Sequence, residues 1–176
     1  MENQNQDQHL ITGMFRDKDS ADRAYTSLQS RGYNNNDIHL IMSDDTRKKH
    51  FATEEHHTEL GSKAMEGANT GSAIGGTLGA IGGAIAAIGT SLLIPGLGIV
   101  VAGPLAAAVA GLGAGGLTGG IIGALVGSGI PKERAVVYEQ GVKEGNIVMG
   151  VHARNAEDAD YLEKDWRTNN VEELHR

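Results

Sequence analysis

At 176 residues, with 22 acidic side chains against 15 basic ones and a net charge of −7, the chain has the length of one ordinary domain. The acid excess and the lack of any clustered Lys/Arg stripe exclude nucleic acid as a partner. The absence of cysteine excludes disulfides, thiolate metal sites and a cysteine nucleophile.

Charge is distributed very unevenly. Between Glu66 and Lys132, 65 consecutive residues carry no Asp, Glu, Lys or Arg and hold 20 of the 26 glycines. The start, MENQNQDQHL, has neither a basic n-region nor an apolar h-region. Residues 1–8 are therefore expected to be a disordered lead-in rather than a secretory signal, with the bulk of the protein in the cytoplasm.

HLITGMF, residues 9–15, predicts a strand. RDKDSADRAYTSLQSRGYN follows with Ala21, Ala24, Tyr25 and Leu28 at helical spacing, a cap at Asp17 or Asp19 and a stop at Gly32. DIHLIMS, 37–43, predicts the second strand and completes a first βαβ half over 9–43. Residues 44–66 read as a polar linker with one short helix, and 67–129 as a Gly-rich apolar insert. From 130 onward, Pro131 opens and Gly145 closes an exit helix. NIVMGVHA, 146–153, predicts a strand, and NAEDADYLEKDWRTNN a helix capped by Asn155 with acids in its first turn. VEELHR supplies a final short strand, so 130–176 holds the exit helix and a second βαβ half. The predicted fold class is α+β: a ferredoxin-like split βαβ sandwich interrupted by a glycine-zipper helical hairpin. Neither half buries its sheet alone, so the two halves must pair, and the insert must leave and return on the same side.

Within the insert, Gly71, Gly75, Gly79 and Gly83 recur at every fourth position, and Gly111, Gly115, Gly119, Gly123 and Gly127 repeat the period. Glycine costs roughly 1 kcal/mol relative to Ala in a helix, so a periodic run needs a compensating contact. Glycines four apart clear one stripe and let another backbone approach, as in small-xxx-small pairs, which marks these nine residues as a helix-packing seam. Pro95, Gly96, Gly98, Gly103 and Pro104 interrupt the run and predict the hairpin turn. Helices over about 70–93 and 104–129 would each be roughly 35–40 Å long, enough to cross a bilayer core. Ile74, Leu78, Ile81, Ile85 and Ile88 stand off the first stripe and would face lipid or protein. The expected partners are further copies of the chain and membrane lipid at the inner face. The competing expectation is a soluble assembly whose hairpins bury one another.

Little in the sequence points to chemistry. TEEHHTE places Glu54, Glu55, His56 and His57 together near His50, but adjacent helical residues point about 100° apart, and one metal seldom takes both. These residues read as a solvated linker, with no metal site assigned. His9, His39, His152 and His175 fall on or beside predicted strands; His39 and His152 are expected as partly exposed sheet neighbours, raising the hypothesis of a pH-sensitive contact. The run from Gly111 to Gly116 has a loose GxGxxG spacing without a leading strand or a following acid, so no dinucleotide cofactor is expected. No set of catalytic groups converges, which predicts a protein that is not an enzyme and takes no identified small-molecule substrate. A small-ligand or metal sensor, sited on the open sheet face or the His-rich linker, is the remaining alternative.

The layout resembles the bacterial general stress protein family, which includes heat-induced and low-temperature-induced proteins. ITGMF with DSADRAYTSLQSRGY, LLIPGLGIVVAGPLAAAVAGLGAGG, and GGIIGALVGSGIPKERAVVYEQGVKEGNIVMGVHA leading into the AEDAD helix carry the likeness, over about residues 10–170. It implies stress-linked expression and a Gly-rich, membrane-associated segment, and brings no catalytic residues. The long polar linker with its His pair departs from the family's tighter spacing.

Overall fold

The computed structural model describes residues 9–51, 81–83, 92–94, 97–106, 120–127 and 129–176. In chain order these form β1 (His9–Phe15), α1 (Lys18–Ser30), β2 (Ile38–Ser43), α2 (Asp44–His50), β3 (Leu92–Ile94), β4 (Ile99–Ala102), α3 (Gly120–Gly127), α4 (Lys132–Lys143), β5 (Ile147–Ala153), α5 (Ala156–Thr168) and β6 (Glu172–His175). The protein is thus mixed helix and strand, and its six strands form one open antiparallel sheet in the order β3-β4-β2-β5-β1-β6.

The middle of that order joins the two ends of the chain. β5 lies between β2 and β1, pairing His9–Phe15 on one side and Ile38–Ile41 on the other. β6 then adds to the outer edge of β1. Local signals place the helices on this frame. The Asp17 side chain accepts from the Ser20 amide at the start of α1, and Asn155 does the same for Asp158 at the start of α5. Gly32 and Gly145, at φ +81° and +100°, end α1 and α4 in a conformation that side chains resist.

Strand alternation divides the side chains between two faces, and both are covered. On the first face, Ile11, Phe15, Leu40, Met149 and Val151 pack with Tyr25 and Leu28 of α1 and with Leu162 and Trp166 of α5. Phe15 and Trp166 meet edge to face at 5.7 Å. A polar latch ties this layer together: Asp158 accepts from Tyr33 Oη at 2.9 Å and from the Arg31 guanidinium, joining the end of α1 to the start of α5. On the second face, Met14, Ile41, Val101 and Val148 pack under Ile121 and Leu125 of α3 and Ala135, Tyr138 and Val142 of α4. The sheet face expected to be open is therefore closed by the end of the insert and its exit helix.

The centre of the insert also departs from expectation. Leu92–Ile94 and Ile99–Ala102 are strands where the sequence reading ends one helix and turns into the next. The reversal that glycine and proline announce exists, but it joins two strands, with Gly98 at φ +61° in its bend. The physical reason is Ile99-Val100-Val101, a β-branched run that fits a pleated surface and pairs antiparallel beside β2 with every residue of β4 buried. Gly103 and Pro104 follow as the exit from β4 into a helical turn at 104–106, while Pro95 and Gly96 lie outside the described residues. Residues 81–83 are helical, and Ile81 faces protein: it is fully buried in the first-face core, its amide donating to the Asp22 carboxylate at 3.0 Å.

Gly103 holds the tightest backbone approach in this region. Its φ is +84°, and a Cβ there would lie 2.0 Å from the Ile38 carbonyl oxygen. Gly98 shares the left-handed backbone, but a Cβ there would meet nothing within 4 Å among the described residues. Gly103→Ala should therefore cost at least about 2 kcal/mol, and Gly98→Ala only about 1 kcal/mol, in urea denaturation.

Candidate functional site: a polar row under the insert

Pairing across β2, β5, β1 and β6 puts His39, Gly150, Thr12 and His175 in one row on the second face. His152, two residues beyond Gly150, lies on the same face, and its ring meets that of His39 edge-on at 5.4 Å between centroids. The expected neighbour relation of His39 and His152 is thus present, but His39 is only 8 % exposed rather than partly open.

The cover explains that burial. The Leu105 amide, in the helical turn after β4, donates to His39 Nδ1 at 3.1 Å. A cavity of ≈ 10 Å³ lies beside His39, Thr12, Leu105, Leu125 and Ile130, with Gly150 in its wall. That is about the room needed by one water molecule. Desolvation pushes the His39 pKa down to about 4, with the neighbouring His152 adding to the shift. Burial lowers His152 as well, and burial with nearby Arg134 lowers His175.

The hydrogen bond from Leu105 fixes the chemistry available to His39. A neutral imidazole that accepts at Nδ1 carries its proton at Nε2. His39 Nε2 is buried without a partner among the described residues, as is Nδ1 of His152. A metal at His39 Nε2 would need a lone pair there, forcing the proton onto Nδ1 against the Leu105 N–H. The pair is therefore suited to holding a polar hydrogen under an apolar lid and unsuited to ligating a metal through that nitrogen.

At the other end of the row, Thr12 Oγ1 and Tyr138 Oη are 2.9 Å apart, and Tyr138 Oη donates to the Glu173 carbonyl at 2.7 Å. Tyr138 has a single hydroxyl proton, so Thr12 is the donor to it. Burial pushes the Tyr138 pKa up to about 12. Glu173 sits at φ +51°, where the pairing of β1 and β6 shifts register, and its carboxylate pairs with Arg134 of α4. The Tyr138 and Arg134 contacts pin this irregular strand end to the exit helix.

Of the residues expected as a helix-packing seam, Gly83, Gly123 and Gly127 are described, and a Cβ at each would meet nothing within 4 Å among the described residues. Gly71, Gly75, Gly79, Gly111, Gly115 and Gly119 lie outside the described residues. On α3, Ile121 and Leu125 are buried against the sheet, whereas Val126 is 43 % exposed beside Gly123 and Gly127. Val136 and Val137 of α4 are likewise exposed at 47 % and 39 %. His50 ends α2, with its ring near Phe51, while Glu54, Glu55, His56 and His57 lie outside the described residues. Among the described residues, no three His, Cys, Asp or Glu side chains gather to hold a metal. Sequence reasoning missed Thr12, Tyr138 and Leu105; only the alternation of Leu10, Thr12 and Met14 opposite Ile11 and Phe15 signals a second buried face.

Comparison with protein-family models, characterised proteins and solved structures returns no match to this chain.

Tyr138→Phe removes the donor to Glu173 and the acceptor for Thr12, whereas Thr12→Val leaves the bond to Glu173 in place. The first variant should lose about 1–2 kcal/mol in urea denaturation and the second at most about 1 kcal/mol.

Proposed function

We propose that this chain is a non-enzymatic stress-response protein that self-associates through its glycine-periodic insert. The observation that carries the reading is the division of α3: Ile121 and Leu125 bury inward, while Gly123, Val126 and Gly127 share the outer side. Residues three and four apart lie on one helical face, so the glycines clear a lane beside an exposed valine. A second helix placed along that lane would gain close backbone contact and would cover Val126.

Soluble self-assembly is favoured over a hairpin that crosses a bilayer. Strands at 92–94 and 99–102 belong to the sheet, and α3 is held by its own core. Among the described residues, no helix is long and apolar enough to cross a membrane. The likeness to general stress proteins supplies the stress assignment. The strand order β2-β5-β1-β6, with each βαβ half lending a strand to the interior of the other, supports a ferredoxin-like frame extended by β3 and β4.

Light scattering on size-separated protein tests this reading. The wild type should run as a discrete oligomer, and Gly123→Leu and Gly127→Leu should each shift mass toward monomer. Thr26→Leu, on the exposed side of α1, should leave the mass unchanged. A monomeric wild type, or one mass for all four proteins, overturns the proposal. Wild-type protein that floats with liposomes and withstands carbonate would favour lipid over self-assembly.

A further inference from the structure

We infer that His39 is an acid-sensitive latch: protonating it releases the turn at 104–106, and with it the α3 cover, from the second face of the sheet. The geometry concentrates on one hydrogen bond. Leu105 N–H donates to His39 Nδ1, and among the described residues this is the hydrogen bond of the insert's returning chain to a titratable side chain. An imidazolium carries hydrogens on both nitrogens, so Nδ1 can no longer accept, and two N–H groups then oppose each other. The new charge also has nowhere to go. The cavity wall beside His39 is Leu10, Ile41, Leu105, Leu125, Ile130 and Val148, with Thr12 as its other polar side chain.

Among the described residues, each element around His39 lacks a counter-charge for it. β5 presents Gly150 and His152, and His152 opposes a charge on His39. β1 presents Leu10 and Thr12, and the Thr12 hydroxyl is engaged with Tyr138 of α4. α3 presents Leu125, and the segment before α4 presents Ile130. At the far β6 edge, beyond Thr12, His175 has a lowered pKa beside Arg134, and Arg134 and Glu173 pair with each other. A proton on His39 is therefore accommodated by opening the cover to water.

The direction in pH follows from linkage. In the closed state His39 holds off its proton to about 4, whereas an opened, hydrated imidazole takes one near its ordinary 6.5. As pH falls below 6.5 only the open state gains a proton, so closure weakens until about pH 4, where both states bind it. Above 6.5 the latch is insensitive to pH.

Amide hydrogen exchange on the full chain, normalised to intrinsic rates, reads this directly. Exchange at Leu105 and along Ile121–Leu125 should rise by up to about tenfold per pH unit as pH falls from 6.5 toward 4, with α1 and α5 unchanged. His39→Asn keeps an acceptor near the Nδ1 position and cannot titrate, so its profile should be flat. His152→Phe keeps a ring beside His39 and should retain the response. A flat wild-type profile, or equal loss of protection in α1 and α5, overturns the inference. A response that vanishes in His152→Phe assigns the switch to the wrong histidine and also overturns it. Imidazole NMR on the wild type is a separate check: His39 titrating near 6.5 with Leu105 still protected would rule the latch out.

Discussion

The structure depends on β5 lying between β1 and β2. A strand from the end of the chain fills the gap between two strands from its beginning, and both its edges are hydrogen-bonded. Without it, β1 and β2 would each face water along an unpaired edge, and the first-face core would lose Met149 and Val151 from its centre. The Asp158 latch is a consequence of the same pairing. Once β5 is seated, the start of α5 is brought against the end of α1, and Arg31 and Tyr33 then satisfy a carboxylate that would be costly to bury alone.

That central strand also creates the demand that the insert meets. β1, β2 and β5 carry apolar side chains on both faces, so packing α1 and α5 on one face leaves Met14, Ile41 and Val148, beside the polar row, needing cover on the other. α4 approaches closely enough to supply it because Gly141 leaves room for the Met14 sulfur, which a Cβ would crowd at 2.1 Å. Here the glycine serves the domain's own close contact, a use distinct from periodicity. Gly150 serves in the same way, since a Cβ there would lie 3.1 Å from the Thr12 methyl group and 3.4 Å from the His39 ring.

What was legible in the sequence was local. Asp17, Asn155, Gly32 and Gly145 act on neighbours within four residues, so their capping and stopping roles could be read without the fold. The identities of β1, β2 and β5 were equally clear from short apolar runs bounded by turns. The second covered face was less so, because LITGM and IVMGV read as buried strands whether one face or two is occupied. Ile99–Ala102 carried a strand signal of its own, yet flanking glycine and proline within a long apolar run make helix interruption an equally natural reading. The burial of His39 had no local signal: its partner amide is 66 residues away, and its depressed pKa follows from a lid assembled by the insert.

The same short helix serves both sides of the functional reading. Ile121 and Leu125 of α3 close the sheet, and Gly123 and Gly127 lie on its outer side. Any contact that holds the outer side in its present orientation therefore also stabilises the inner one, since a ligand or subunit that binds one state favours every contact of that state. Conversely, a proton at His39 that weakens the cover lowers affinity for whatever grips the glycine lane of the closed helix. The two effects are reciprocal by thermodynamic necessity, so self-association of the closed form would raise the acidity needed to open it, moving the response to lower pH. A neutral histidine under an apolar lid is a small cost at neutral pH and a steep one in acid. The placement of such a residue at the point where the insert rejoins the sheet couples the state of that layer to the proton concentration around it.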